Sequence, residues 1–443
     1  MTPFGLWKSR GYGWLLRVGA DGYALYDYTD ISCVEFERGT PAEFERGFDR
    51  VEQRNRTLSL HVAGDITRYS FDRIEALPAA VLELGQPRVS NPTFTFDVLW
   101  HTFAQDYAFF DRHGVDWQDT RRRNRDRVHT RTDDATLRAT LEGMLAELRD
   151  NHVYLKTAHS SFVSDRIAHI KQWMVDAFAL QSPSLGEADT IARYQAFVAN
   201  EILQGRGRTA GNNLLTWGYV APGVGYLAVL RLFGFADTAE AKRAVGLPAR
   251  RPDVAAFLKD DLAALDTILD TAMVELGAAR ALILDIRVNG GGFDKAGMAI
   301  AARFVDRRRL AFTKRAREGD DLGPHQQQFV DTCRSPYTKP VYVLTAERTA
   351  SAGEILTLCM AALPHVTRVG APTLGIFSDD LAKHLPNGWT TSLSNEVYAA
   401  PDGTVYEGGG VPPQVHVPTF REHDLRGGLK AGVEQAVRLA NGT

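Results

Sequence analysis

The sequence predicts an α/β core preceded by smaller units, and three observations carry that reading. Apolar strand-like runs alternate with helical spacing through the second half of the chain. Residues 5 to about 85 read as β alone, and residues 91 to about 155 read mainly as helix. The boundaries that follow are a small accessory β domain at 1–88, a helical subdomain at 89–158, a helical insertion or lid at 159–220 and an α/β core at 221–443.

In the first unit, Trp14 to Val18 and Tyr23 to Tyr28 are aromatic-rich runs joined through Asp21-Gly22, the pattern of a hairpin. A second pair, Thr57 to Val62 and Thr67 to Phe71, flanks Ala63-Gly64-Asp65. After Asn91-Pro92, the residues Phe96, Leu99, Trp100, Phe103, Tyr107 and Phe110 recur at three- and four-residue steps and give a helix one apolar face. A second helix starts near Thr132-Asp133-Asp134 and buries Leu137, Leu141, Met144, Leu145 and Leu148. It ends at Asp150-Asn151, a turn pair, before Val153-Tyr154-Leu155 opens a strand. His152 therefore stands on a helix-to-strand corner, where it either projects into a cleft or serves as a satisfied structural histidine. Helical spacing returns at Ile167 to Phe178 and Ile191 to Leu203, around a Ser-Pro-Ser-Leu-Gly loop at 182–186.

The core begins with the strand Gly225 to Leu230. A long helix runs from about Pro252 to Leu276, followed by the buried strand Ala281 to Arg287 and the run Gly290-Gly291-Gly292. Asp285 and Arg287 read as a structural ion pair. Pro340 to Thr345 is another buried strand, and Ile355, Leu356, Leu358, Cys359 and Ala362 form the apolar side of the next helix. Ser351 lies where that strand turns into that helix. A hydroxyl there sits beside unpaired amides and the positive helix end, a good place for a nucleophile. Thr349 or Ser351 would equally serve as a plain helix N-cap.

Composition narrows the function. The chain of 443 residues is 44% hydrophobic and 24% charged, globular and long enough for about two or three domains. A formal net charge of -3 gives no general attraction to nucleic acid or anionic membrane. Cys33, Cys333 and Cys359 form neither a metal pair nor a disulfide framework. The twelve histidines are scattered, with no His-Glu-x-x-His, so no metal and no cofactor is expected. With no apolar signal segment or membrane-length run, the chain as written is expected to be soluble and cytoplasmic, a signal removed beforehand aside. The glycine run lacks the spacing of a nucleotide-binding loop, and its backbone can approach a substrate closely instead.

Four segments in order resemble the tail-specific (C-terminal processing) serine peptidases and the tricorn core protease. They are Leu148 to Leu155, Leu284 to Gly292, Thr349 to Ile355 and Glu407 to Pro413. The resemblance covers about residues 94 to 417 apart from the insertion. It implies a spiral of ββα units like the crotonase and Clp protease folds, a serine nucleophile, and a peptide or protein substrate. Many relatives carry a PDZ domain, but 160–215 has helical periodicity and no such β-rich pattern. The bacterial processing peptidases use a Ser-Lys dyad, yet Ile376 occupies the lysine place in Thr373-Leu374-Gly375-Ile376-Phe377 and cannot accept a proton. Lys383, farther on, reads as an exposed charge.

The tricorn-like branch uses serine, an upstream histidine and a downstream glutamate. By position these are Ser351, His152 and Glu407, with Asn151 where that branch has an auxiliary serine. The chemistry is coherent: a serine needs a base to take its proton, and a carboxylate can orient that base. Glu396 competes with Glu407 as the acid, and the amides of Gly291 and Ala352 are the expected oxyanion donors. Two other readings use the same core. One is a non-catalytic module like the retinoid-binding repeats of the interphotoreceptor protein, and the other is an esterase with the same triad. Oligomeric state is not readable.

Overall fold

The computed structural model describes residues 3–62, 65–76, 91–177, 187–237 and 251–442. Its first part is a seven-stranded antiparallel sheet in the order Ser32–Gly39, Gly22–Thr29, Trp14–Gly19, Gly5–Ser9, Arg68–Ile74, Thr57–Val62, Phe48–Arg54. Both expected hairpins form. Gly19 faces Gly22, which leaves a two-residue turn. Gly22 has φ +128°, and a Cβ there would lie 2.1 Å from the Gly39 carbonyl oxygen, so no other residue fits without a shift.

Alternation decides what each face of this sheet does. Leu15, Tyr26, Tyr28 and Cys33 form a small cluster on one face. Trp7, Leu16, Tyr23, Leu25 and Phe71 share a larger cluster with Phe96, Leu99 and Phe103 of the helix Pro92–Asp106 and with Leu141, Met144 and Leu145 of the helix Asp134–Ala146. The sheet and the helical unit thus bury one another's apolar faces. Asn91 caps the first of these helices through the amides of Thr93 and Phe94, and Asp133 caps the second through that of Thr136. The expected boundary at 88 and 89 lies outside the described residues, as does the loop at 182–186.

The expected α/β core is a second seven-stranded sheet, Arg208–Ala210, Leu215–Ala221, Val224–Val229, Ala281–Asp285, Val341–Thr345, Val366–Gly370, Val415–His416. From Val224–Val229 onward the neighbours are parallel. Helices Arg251–Leu276, Asp294–Ala301, Ala352–Ala361 and Leu425–Asn441 pack with it. Tyr194, Tyr226 and Arg287 all hold the buried Asp285, and Arg287 meets it at 2.6 Å with neither side chain exposed. That bears out the structural ion pair. The insertion carries helices Ala168–Ala177 and Glu187–Phe197.

A small sheet, Asp380–His384, Thr390–Ser394, Tyr154–Lys156, Ser161–Val163, joins the helical unit to the core. Here the structure corrects one expectation. Lys383 is not exposed: the alternation of its strand turns Leu381 and Lys383 inward. Its ammonium donates to the Tyr12 carbonyl at 2.6 Å and lies 3.1 Å from Asp106 and 3.6 Å from Asp27. It therefore ties the N-terminal sheet to this seam. Among the described residues no helix is long and apolar enough to cross a membrane.

Candidate active site

Ser351 ends the loop between the strand Val341–Thr345 and the helix Ala352–Ala361. It occupies the N-cap position with φ 52° and ψ -127°, and its side chain makes no capping bond. An ordinary N-cap serine is extended and spends its hydroxyl on the helix. Ser351 does neither, and an L-residue pays for this conformation in strain of about 1–3 kcal/mol. The surrounding backbone imposes it. Thr349 Oγ1 donates to the Ile286 carbonyl at 2.9 Å and accepts from the Ala346 amide at 3.1 Å, while the Ala350 amide donates to the Asn289 carbonyl at 3.0 Å. Thr349 is therefore a staple between two loops and not a cap.

Gly291 lies against this corner with φ +101°. A Cβ there would fall 2.7 Å from Ser351 Cβ and 3.1 Å from the Ala352 amide nitrogen. The missing side chain at Gly291 thus lets its loop pack against the Ser351 corner. The Gly291 amide, however, is not free to face a substrate, because it donates to Asn289 Oδ1 at 2.9 Å. Asn289 is held in turn by the Val229 carbonyl at 3.0 Å. The Ala352 amide opens its helix, where an N–H has no intrahelical acceptor.

The loop 373–378 links this corner to the other expected residues. Buried Glu354 accepts from Thr373 Oγ1 at 2.5 Å and from the Gly375 and Ile376 amides, each at 2.7 Å. Burial pushes its carboxyl up to about 7 against those three donors. Ile376, in the place of a dyad lysine, is buried. Glu407 takes the next two amides with Oε2, Phe377 at 2.9 Å and Ser378 at 3.2 Å. Its Oε1 is buried and unpaired. Burial, and then the charges of Asp150 and Glu354, push Glu407 well above the usual carboxylate range.

His152 sits on the expected corner. Arg149 takes φ 48° to make the turn, and buried Asp150 accepts from the His152 amide at 2.9 Å and from Tyr107 Oη at 3.1 Å. Ser392 Oγ donates to the His152 carbonyl. Nδ1 of His152 is buried with no partner. Its imidazole lies within electrostatic reach of Asp379 and Asp380, which follow directly on the Glu407-bound loop. Among the described residues no hydrogen bond joins Ser351, His152 and Glu407. Glu407 grips the loop 373–378 directly, the helix that Ser351 opens meets it through Glu354, and His152 lies within electrostatic reach of the two residues that follow it.

The two auxiliary candidates have other partners. Asn151 donates to Asp165 Oδ1 at 2.8 Å and accepts from the Arg166 amide at 3.1 Å, so it pins the following loop. Glu396 accepts from Tyr12 Oη at 2.6 Å and lies 2.8 Å from the fully buried Lys314 ammonium, with its carboxyl raised to about 7 by burial. Sequence reasoning missed Lys314 and the role of Glu354. Glu354 had a signal, an acid in the first turn of an otherwise apolar helix. Lys314 had none, since it sits among charged neighbours on a strand.

Residues 256–417 match the model of peptidase family S41. The chain also aligns with "Carboxy-terminal processing protease CtpA" of Bacillus subtilis, 27% identical over 142 residues, 32% of this chain and 29% of that protein. "C-terminal processing peptidase, chloroplastic" of Tetradesmus obliquus is 29% identical over 160 residues, 36% of this chain and 33% of that protein. The chain thus spans about a third of the length of these curated relatives. Among solved structures, a candidate peptidase from Parabacteroides merdae superposes with a TM-score of 0.61 at 22% identity, over 80% of this chain and 97% of that one. Mature CPAF complexed with lactacystin gives 0.53 at 14% identity, over 80% and 99%. Both likenesses are of fold, and they extend well beyond the matched segment.

Proposed function

We propose that the protein is a serine peptidase that cleaves peptide bonds through an acyl-enzyme. Ser351 is the nucleophile, His152 its base, and Glu407 the carboxylate that orients His152. The conformation of Ser351 carries the reading: a strained serine on a strand-to-helix corner, its hydroxyl spent on no cap, is what an exposed nucleophile requires. The hydroxyl attacks the scissile carbonyl as His152 takes its proton, and the Ala352 amide, beside the close approach at Gly291, meets the developing oxyanion. His152 then returns the proton to the leaving amine, and water repeats the cycle on the acyl-enzyme. Glu407 fits the orienting role because one buried oxygen lacks a partner, as does Nδ1 of His152.

The test is labelling with a fluorophosphonate probe, wild type beside Ser351→Ala and His152→Ala. Labelling of the wild type alone supports the reading. A well-folded wild type that takes no label sinks it and turns attention to ligand binding on the same core. Cleavage of ester but not peptide substrates by a labelled enzyme would replace peptidase with esterase.

A further inference from the structure

A cavity of about 360 Å³ lies between the N-terminal sheet and the strand Asp380–His384. Its walls include the rings of Trp14, Phe36 and Tyr69. Trp14 and Tyr69 centroids are 5.2 Å apart, Trp14 and Phe36 6.0 Å apart, and Phe36 stacks on His384 at 5.3 Å. The rings are packed against one another and their orientation is set before any ligand arrives.

The charge in this cavity has one sign. Glu37, Asp65, Asp379, Asp380 and Glu396 all line it. Glu37 accepts from Tyr23 Oη, and Asp65 from two backbone amides. Lys314 is shared between Glu396 at 2.8 Å and Asp379 at 3.2 Å. His384, also in the wall, is engaged with Asp27 at 2.8 Å. Asp380 stands exposed at the rim and makes no ion pair among the described residues. Burial first, and the Asp379 charge after it, push Asp65 and Glu396 upward. A cation entering the cavity would relieve that crowding. The combination of aromatic faces with surplus carboxylate suits a guanidinium, which stacks on a ring while its edge pairs with an acid.

Asp379 and Asp380 adjoin the candidate active site: they follow Ser378, whose amide donates to Glu407, and the strand of Asp380 pairs with the one whose Ser392 holds the His152 carbonyl. The base of an acyl-transfer site delivers its proton to the leaving amine, so groups beyond it face the leaving-group half of the substrate. We propose that this cavity is a subsite for a basic side chain, arginine above all, on the leaving-group side of the scissile bond. The assignment to that side rests on the peptidase reading; binding of the basic side chain does not.

The experiment uses the full chain carrying Ser351→Ala, so that peptides bind without turnover. Fluorescein-labelled peptides place Arg, Lys, Met or Glu at each successive position, and binding is read by anisotropy. The expected result is an advantage of about tenfold for Arg over Met at one position, weaker for Lys and reversed for Glu, that shrinks as salt rises. Adding Asp380→Asn should bring the Arg-to-Met ratio toward one, and Asp380→Glu should restore it. Phe36→Ala should lower it as well. The ratio is taken within each variant, so a general loss of folding does not imitate the effect. Equal binding of Arg and Met peptides at every position, or an Arg advantage indifferent to Asp380→Asn, overturns the subsite. Probe labelling of the wild type is scored separately, so a failed subsite and a failed peptidase are distinguishable.

Discussion

The corners that carry Ser351 and His152 are built in opposite ways. Ser351 is held by backbone and hydroxyl contacts between two loops that follow adjacent parallel strands of the core sheet, Ile286 to Gly291 and Ala346 to Ala350. His152 is held by Asp150 beside it and by Ser392, which lies on a strand that pairs with Tyr154–Lys156 across the seam between units. Glu407 resembles His152 in this respect, since its partners are the amides of a distant loop. The Ser351 corner needs only the core sheet to be formed. The proposed base is in place only when the strand that carries Ser392 pairs with Tyr154–Lys156.

The largest effect expected is on turnover. Ser351→Ala and His152→Ala should each lower kcat/KM by at least about a thousandfold while leaving the unfolding transition near that of the wild type. A loss of less than about tenfold in either would show that the corner in question does not carry the chemistry.

Next comes Gly291→Ala, which puts a Cβ 2.7 Å from Ser351 Cβ at φ +101°. Urea denaturation should show a loss of about 2–4 kcal/mol, because backbone and not a flexible side chain must move. A neutral result would mean that the Ser351 corner is softer than its contacts imply, and the contrast between the corners would fail.

A third prediction concerns pH. The neutral forms of Glu354 and Glu396 are favoured in the fold, with both carboxyls raised to about 7 from about 4.5 when unfolded. Their stabilising contribution is complete below about pH 4.5 and is lost as pH rises through about 7. Denaturation between pH 5 and 8 should therefore show stability falling with pH. Glu354→Gln should flatten part of that slope, and an unchanged slope would assign the effect elsewhere.

The smallest effect is the one specific to the docked corner. Ser392→Ala removes the hydroxyl that holds the His152 carbonyl. It should cost about 1 kcal/mol of stability yet reduce kcat by about tenfold with little change in KM, since only the base shifts. A change in KM alone would point to substrate binding and not to the histidine.

The difference between the corners also explains how much could be read from residues. The strands and helices around Ser351 were legible because apolar runs and helical spacing are local signals, and each of those elements is present. The choice between a cap and a nucleophile at Ser351 was not legible, because both use a serine at the same place and differ only in φ, ψ and the direction of a hydroxyl. Lys383 was misjudged for a related reason: a lysine among polar neighbours looks solvated until a second sheet closes over it. Gly291, read as an oxyanion donor, has its amide taken by Asn289 through a contact that sequence spacing does not announce.

Residue patterns alone mark the two hairpins, the strands Val224–Val229, Ala281–Asp285 and Val341–Thr345, the buried Asp285–Arg287 pair and a serine at a strand-to-helix junction. All of these follow from periodicity, turn chemistry and charge placed within a few residues. It took the tertiary structure to grip one loop with Glu354 and Glu407, to give Glu396 to Lys314 and Tyr12, and to close an acidic, ring-lined cavity under the N-terminal sheet. These depend on which distant surfaces share one hydrophobic core. Burial there raises the carboxyls of Glu354, Glu396 and Glu407, whereas at Asp285 burial is outweighed by Arg287 and the carboxyl is lowered.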